Sequence, residues 1–260
     1  MRLARLDLTK EQTVAKKNPK NEERRALVEK MRAEQARKER QRSLLILGAC
    51  ILVVLGLLSA AVIPYINKQR ADHKIASEGL AKIGVTAAQA GCLPIRTKAP
   101  TGLQVSGANG NHVATGTTIT YTDAPPAFGQ HWPNYLQSTE QKNFWSRADR
   151  PPLEQMVHSL EHGHTYLWYD DSIKDGSAEY KTLQNIATKF KNDLYFNVLP
   201  WKSTDGGAFP SGTHVVLTHW ADNGGKQLGV WDYCAHPSGE VVASFTKKYP
   251  SSDAPEAGAP

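Results

Sequence analysis

The first feature of the hydrophobic pattern is a continuous apolar run near the N-terminus. From Leu44 to Ile63 the chain contains 20 residues without a charged side chain, directly after a segment dense in Lys, Arg and Glu. At about 1.5 Å per residue, a helix of this length spans roughly 30 Å, the thickness of the hydrocarbon core of a bilayer. A buried core helix is rarely so uniformly apolar, and a cleaved signal peptide has a shorter apolar region. The run therefore predicts one transmembrane helix, residues 44–63, that stays as an anchor.

After this helix the pattern changes to that of a globular domain. Residues 64–91 are polar and Ala-rich, which predicts a helical stalk. Residues 92–249 contain β-branched and aromatic runs separated by turn residues, with a few amphipathic stretches between them. The predicted strands are 112–121, 164–169, 194–199, 213–220 and 227–233, and the predicted helices are 153–162, 178–192 and 238–249. Residues 250–260 are rich in Pro, Ala and Ser, which predicts a disordered tail.

The order of these elements predicts the fold class. Strands outnumber helices and do not alternate with them as they do in βαβ units. Asn223, Gly224 and Gly225 form a turn signal between the last two strands, which predicts a hairpin. The domain is therefore predicted to be α+β, with a mainly antiparallel sheet and a few helices. One transmembrane helix and a cytoplasmic basic helix precede it.

Charge is distributed unevenly on the two sides of the apolar run. Residues 1–43 hold 14 Lys and Arg against 7 Asp and Glu, a net charge of +7. The whole chain carries a net charge of +6, so the remainder carries −1. Lys and Arg concentrate on the cytoplasmic side of membrane helices. The asymmetry therefore predicts a single-pass protein of the cell membrane, with a basic cytoplasmic arm (1–43) and an extracytoplasmic C-terminal domain.

The composition of the arm indicates its partners. Between Asn21 and Arg42 it is rich in strong helix formers, with opposite charges often three or four residues apart. A solvated helix lying on anionic lipid headgroups is the favoured interpretation, since each Lys or Arg near such a surface gains about 1 kcal/mol. Another membrane protein or a cytosolic protein is the alternative. Nucleic acid is not expected as a partner, because no aromatic residues interleave with the charges.

The three cysteines lie in two different environments. Cys50 is within the apolar run, where it serves as a small apolar residue. Cys92 and Cys234 both lie in the predicted extracytoplasmic domain, where thiols are oxidised, and this favours a disulfide between them. Two unpaired or metal-binding thiols are the alternative, although the pair lacks C-x-x-C spacing.

One short predicted helix, 153–162, carries the residues with the most chemical content. His158 and His162 are four residues apart, so they lie one above the other on the same helix face. Two imidazoles in this arrangement can bind one face of a metal ion. Glu161 completes the pattern H-x-x-E-H of the inverzincin metallopeptidases, in which the glutamate activates zinc-bound water.

Two histidines outside this helix extend the candidate ligand set. His112 opens a predicted strand, and His131 ends the Pro- and Gly-containing loop before the helix. A zinc or copper ion usually takes three or four ligands from separate segments. The candidate metal ligands are therefore His112, His131, His158 and His162, with zinc or copper(II) as the ion. The alternative is that these histidines are surface or core residues with hydrogen-bonding roles.

The order and spacing of these motifs resemble a known family. The matching residues are His112 and Val113; Pro125, Pro126, Gly129 and His131; and Met156, Val157, His158, Leu160, Glu161, His162 and Gly163. Over about residues 110–220 this pattern is similar to the domain-of-unknown-function family 3105, which is bacterial and rich in actinobacterial single-pass membrane proteins. The resemblance implies a shared topology and a shared site, without an established activity.

Three functions are compatible with these patterns. The favoured hypothesis is a membrane-anchored extracytoplasmic domain that binds a divalent metal through its histidine cluster. The second is a scaffold or assembly subunit of a membrane complex, in which aromatic residues line a groove for a partner. Those aromatic residues are Trp132, Tyr135, Trp145, Trp168 and Trp201. The third is a zinc-dependent hydrolase of the cell envelope with Glu161 as the general base.

Overall fold

The computed structural model describes residues 19–77, 79–101, 111–137 and 139–259. The first 18 residues of the predicted arm lie outside this range. The chain divides into two compact units, Met1–Gln69 and Arg70–Pro260.

The N-terminal unit consists, over its described residues, of one long helix, α1, which spans Pro19–Ser77 and continues past the unit boundary. Proline suits the first helical position, because its missing N–H would have no helical partner there. The stretch Glu23–Ala60 is long and apolar enough to cross a membrane, and its most apolar part is not buried within the protein. A water-soluble monomer rarely exposes so large an apolar surface. The helix is therefore a candidate membrane span or signal anchor.

The second unit is built on one five-stranded sheet. Its strands are β1 (Arg96–Lys98), β2 (Thr165–Tyr169), β3 (Phe196–Pro200), β4 (Val215–Asp222) and β5 (Gln227–Cys234), and its helices are α2 (Leu153–Glu161), α3 (Ala178–Lys189) and α4 (Gly239–Lys248). The strands lie in the order β1-β5-β4-β2-β3. All neighbours are antiparallel except β2 and β3, which are parallel because the chain crosses over through α3 between them. The α+β class with a mainly antiparallel sheet is confirmed.

Both faces of the sheet are covered, so its strands are apolar on both sides. In β2 the side chains of Leu167 and Tyr169 join a core with α3 and α4 on one face. Tyr166 and Trp168 alternate to the other face and pack with α2 and the loop residues around it. The second core is mainly aromatic and carries α2, the helix with the candidate ligands.

The predicted strand 112–121 is wrong, and the short strand β1 was not predicted. The backbone of 112–121 forms its hydrogen bonds outside a strand ladder. Val113 N donates to the carbonyl of His131 at 2.8 Å, Thr117 N closes a turn at 3.0 Å, and Ile119 N donates to a carboxylate oxygen of Glu154 at 3.1 Å. These partners satisfy the backbone as a ladder would, so β-branched residues alone did not make a strand here.

The two ends of the domain also differ from the predicted boundaries. Residues 79–91 belong to the domain core rather than to a stalk, since Ile83 and Ala90 are buried and Gly239 N donates to the Ile83 carbonyl at 2.8 Å. Residues 250–259 form turns that pack on the domain rather than a disordered tail. Asp222 N donates to the Asp253 carbonyl at 3.1 Å, and Ala254 is buried. Tertiary hydrogen bonds hold a segment whose composition alone indicated disorder.

The segment before β1 is joined to the end of β5 by a disulfide between Cys92 and Cys234, across 142 residues of sequence. Leu93 N donates to the Tyr233 carbonyl at 2.8 Å beside it.

We expect the double variant Cys92→Ser/Cys234→Ser to lower the free energy of unfolding by about 2 to 5 kcal/mol, because the disulfide no longer restricts the unfolded chain. Denaturant unfolding of the full chain measures this, with Cys50→Ser as the control; an unchanged midpoint would contradict it.

Candidate metal centre

Helix α2 places its chemical residues by packing its apolar face. Met156, Val157 and Leu160 are buried in the aromatic core beside β2 and β4. His158 and Glu161, three residues apart and therefore neighbours on the helix surface, are also buried but lie beside the loop that precedes the helix. The same helix thus anchors itself on the sheet and carries two polar groups into a buried site.

A close backbone contact fixes the end of α2. Gly163 follows the last turn with φ of +103°, a conformation that favours glycine. A Cβ at this position would lie 2.3 Å from the carbonyl oxygen of Ser251, so no side chain fits. Glu256 N also donates to the Glu161 carbonyl at 2.9 Å. The C-terminal segment therefore lies directly over the end of the helix.

His112 and His131 are brought together by pairing of two loop segments. His131 N donates to the Asn111 carbonyl at 3.0 Å, and Val113 N donates to the His131 carbonyl at 2.8 Å, which makes a short parallel bridge. The ring centroids of the two histidines are 4.9 Å apart, and those of His131 and His158 are 4.7 Å apart. Loop and helix thereby place three imidazoles in mutual contact.

Two of these imidazoles are oriented by backbone carbonyls. The Nδ1 atom of His131 lies 2.8 Å from the Gly129 carbonyl oxygen, and that of His158 lies 2.7 Å from the Trp132 carbonyl oxygen. A carbonyl oxygen only accepts, so each Nδ1 carries a proton, and each ring turns its Nε2 toward the cluster. Metal-binding histidines typically donate their second ring nitrogen in this way.

The Nε2 atom of His131 lies beside a carboxylate. It is 3.0 Å from Oε2 of Glu161, and both side chains are buried. Asn111 Nδ2 donates to the other Glu161 oxygen at 3.3 Å and holds the carboxylate. With a proton on Nε2 the two groups form an ion pair. A metal ion that displaces this proton would have both atoms as ligands.

Burial controls the protonation states of the cluster. Desolvation, with the nearby charges of His131 and His162, lowers the pKa of His158 to about 3, against the weaker opposing effect of its bond to the Trp132 carbonyl. Burial would raise the pKa of Glu161, but the contact with His131 and the hydrogen bond from Asn111 together lower it below its usual range. Near neutral pH the site therefore holds a neutral His158 and an ionised Glu161, the forms that bind metal ions.

The four groups that can share one ion differ by one residue from the predicted set. His112, His131, His158 and Glu161 each offer a ligand atom, and these atoms lie within 4.8 Å of one another. Glu161 thus stands among the ligand atoms, although the H-x-x-E-H pattern indicated a base. His162 lies beside them, with its Nε2 3.1 Å from that of His158. The i, i+3 spacing of His158 and Glu161 was the available signal for this arrangement.

The aromatic residues assigned to a partner groove have other positions. Trp145, Trp168 and Trp201 are buried in the core. Trp132 provides the carbonyl that orients His158, and the ring of Tyr135 packs 4.8 Å from that of His162. These contacts lie in the core or beside the histidine cluster.

Fold and site together define an α+β domain with a buried histidine and carboxylate cluster on a sheet-packed helix. Residues 112–260 match the family model described as "Protein of unknown function (DUF3105)", which is more than half of the chain. The protein therefore belongs to the DUF3105 family. Residues 22–75, within and around α1, are similar to a model described as "Inhibitor of host cell division protein domain". No curated protein and no solved structure matches the chain.

We expect the imidazole of His158 to stay neutral, with its proton on Nδ1, down to about pH 4 in the metal-free folded protein. The cause is the lowered pKa of about 3. ¹⁵N NMR of the ring nitrogens measures this, and the urea-unfolded chain, in which the group should titrate near 6.5, is the control. Because the unfolded state binds the extra proton below about pH 6.5, this histidine also makes stability fall as the pH falls. Titration of folded His158 near pH 6 would contradict the assignment.

Proposed function

We propose that the domain binds one divalent metal ion, zinc or copper(II), through His112, His131, His158 and Glu161. The observation that carries the proposal is the convergence of these four groups, whose ligand atoms lie within 4.8 Å of one another. The rings of His131 and His158 are each held at Nδ1 by a backbone carbonyl, which leaves Nε2 available for an ion. Imidazole and carboxylate ligands suit zinc and copper(II), whereas soft copper(I) prefers sulfur.

The ligand set favours metal binding over hydrolysis. A catalytic zinc site typically has three protein ligands and keeps the fourth position for water, whereas a structural site is closed by four protein ligands. Here Glu161 lies within reach of the same ion as three histidines. A carboxylate bound to the metal is not available as the base that activates water. We therefore assign a metal-binding role to the domain, with envelope hydrolysis as the less favoured alternative.

We also propose that α1 anchors the domain at the cell membrane. The apolar stretch supports a membrane span. The charge of +7 over residues 1–43 favours a cytoplasmic N-terminus, because Lys and Arg concentrate on the cytoplasmic side of membrane helices. The basic part of α1 would then lie on anionic lipid headgroups or against another membrane protein. The metal centre would face the extracytoplasmic side.

Metal analysis of the full chain, purified in detergent without an affinity tag, tests the binding role. We expect about one zinc or copper(II) per chain in the wild type. We expect His131→Ala, His158→Ala and Glu161→Gln each to weaken affinity by more than about 100-fold, because each loses a direct ligand. Competition with a chelator of known affinity measures the change.

Two variants serve as matched controls for this series. Glu154→Gln alters another carboxylate of α2, one that accepts from Ile119 N, and His236→Ala alters an exposed histidine paired with Glu179. Both should keep the wild-type affinity. If Glu161→Gln keeps the ion while the protein loses a hydrolytic activity, the residue is a base and the hydrolase hypothesis is correct. A wild type that binds neither ion would refute the proposal.

Topology is tested separately by fusions at the two ends of the chain. A reporter that works only in the cytoplasm should be active when fused ahead of Met1, and one that requires export should be active when fused after Pro260. The physical reason is the excess of Lys and Arg before the apolar run. The opposite pattern of activities would reverse the proposed orientation.

A further inference from the structure

The candidate metal centre has a carboxylate on its solvent side that comes from the C-terminal segment. Glu256 lies in residues 250–259, and its Oε2 atom is 3.5 Å from Nε2 of His162. The backbone N of the same residue donates to the Glu161 carbonyl. The side chain is therefore held at the end of α2 by its own backbone.

The distances along this series of side chains are those of neighbouring ligands. Nε2 of His162 lies 3.1 Å from Nε2 of His158 and 3.5 Å from Oε2 of Glu256. Two donors that each lie about 2.1 Å from one tetrahedral ion are separated by about 3.4 Å. His162 thus lies next to one of the four inner ligand residues, His158, and Glu256 lies next to His162.

Glu256 differs in exposure from the four inner ligand residues, His112, His131, His158 and Glu161, and it adds a second carboxylate. The side chain of Glu256 is 38% exposed, whereas those of His131 and Glu161 are 0% and 7% exposed. An ion that leaves the buried atoms toward solvent on this side therefore passes the carboxylate of Glu256. A divalent cation bound by Glu161 retains one positive charge, which a second carboxylate neutralises.

We infer that Glu256 is an outer metal-binding residue: with His162 it binds the ion outside the four inner ligands, on its way to solvent, and so slows its release. The inference rests on the proposed metal-binding function. It assigns a binding role to a residue that lies 95 positions after Glu161 in the sequence. The C-terminal segment then lies on the path by which the ion leaves on this side.

The release rate of zinc tests this role. The full chain in detergent is loaded with Zn²⁺ and mixed with excess chromophoric chelator, and the rate of release is followed. We expect Glu256→Gln to bind one ion per chain but to release it at least about 10-fold faster than the wild type. The control is Glu179→Gln, since Glu179 is 39% exposed and pairs with a different histidine, His236; it should release zinc at the wild-type rate.

A second variant separates direct binding from a general effect of charge. Glu256→His replaces the carboxylate by a neutral imidazole that can still bind zinc, so it should release the ion more slowly than Glu256→Gln does. If Glu256→Gln and the wild type release zinc at the same rate, the inference is wrong while the proposed function stands. If Glu256→His releases zinc as fast as Glu256→Gln, the carboxylate acts through its charge and is not a ligand. If the wild type binds no zinc, both proposals fall.

Discussion

The hydrogen bonds from two imidazoles to backbone carbonyls determine what the centre can do. Through Nδ1, His131 binds the carbonyl of Gly129 and His158 binds that of Trp132. Each bond fixes the ring orientation and leaves Nε2 as the nitrogen that can bind an ion. Free rotation of these rings would leave several nitrogen positions and no common point for an ion. The rest of the domain is organised so that these carbonyls and rings stay in place.

Strand β5 supports the loop that leads to His131. Trp231 Nε1 donates to the Pro125 carbonyl at 2.7 Å, and Tyr233 donates through its hydroxyl to the Ala124 carbonyl at 2.8 Å. These bonds fasten the segment before His131 to a buried strand, and the disulfide at Cys234 fastens the same strand to the start of the domain. The aromatic core therefore has two roles, since it stabilises the sheet and positions the loop.

Burial gives the centre its electrostatic character. Water would screen the charge of Glu161 and favour protonation of His158, whereas the buried site keeps His158 neutral and Glu161 ionised. A carboxylate beside a neutral imidazole attracts a cation more strongly where water is excluded. The match to the DUF3105 family includes the loop, the helix and the C-terminal segment, so all parts of this centre lie within the shared region.

The sequence by itself determined the elements whose signals are local. The apolar run, the α+β class, the helix that carries His158 and the hairpin before Cys234 follow from periodicity, turn residues and spacing along the chain. Local spacing also placed His158 beside Glu161. The H-x-x-E-H pattern suggested a base, whereas in the structure the Glu161 carboxylate lies with three histidines in a group that could hold a metal ion.

Only the tertiary structure decided which distant groups meet. The segment 112–121 had the composition of a strand, yet its backbone forms hydrogen bonds with a loop and with Glu154. The C-terminal residues had the composition of a disordered tail, yet they pack over the end of α2. The position of Glu256 beside His162 depends on a backbone bond to a residue 95 positions earlier. Composition reports the average preference of a segment, whereas such contacts depend on the backbone groups that folding leaves available.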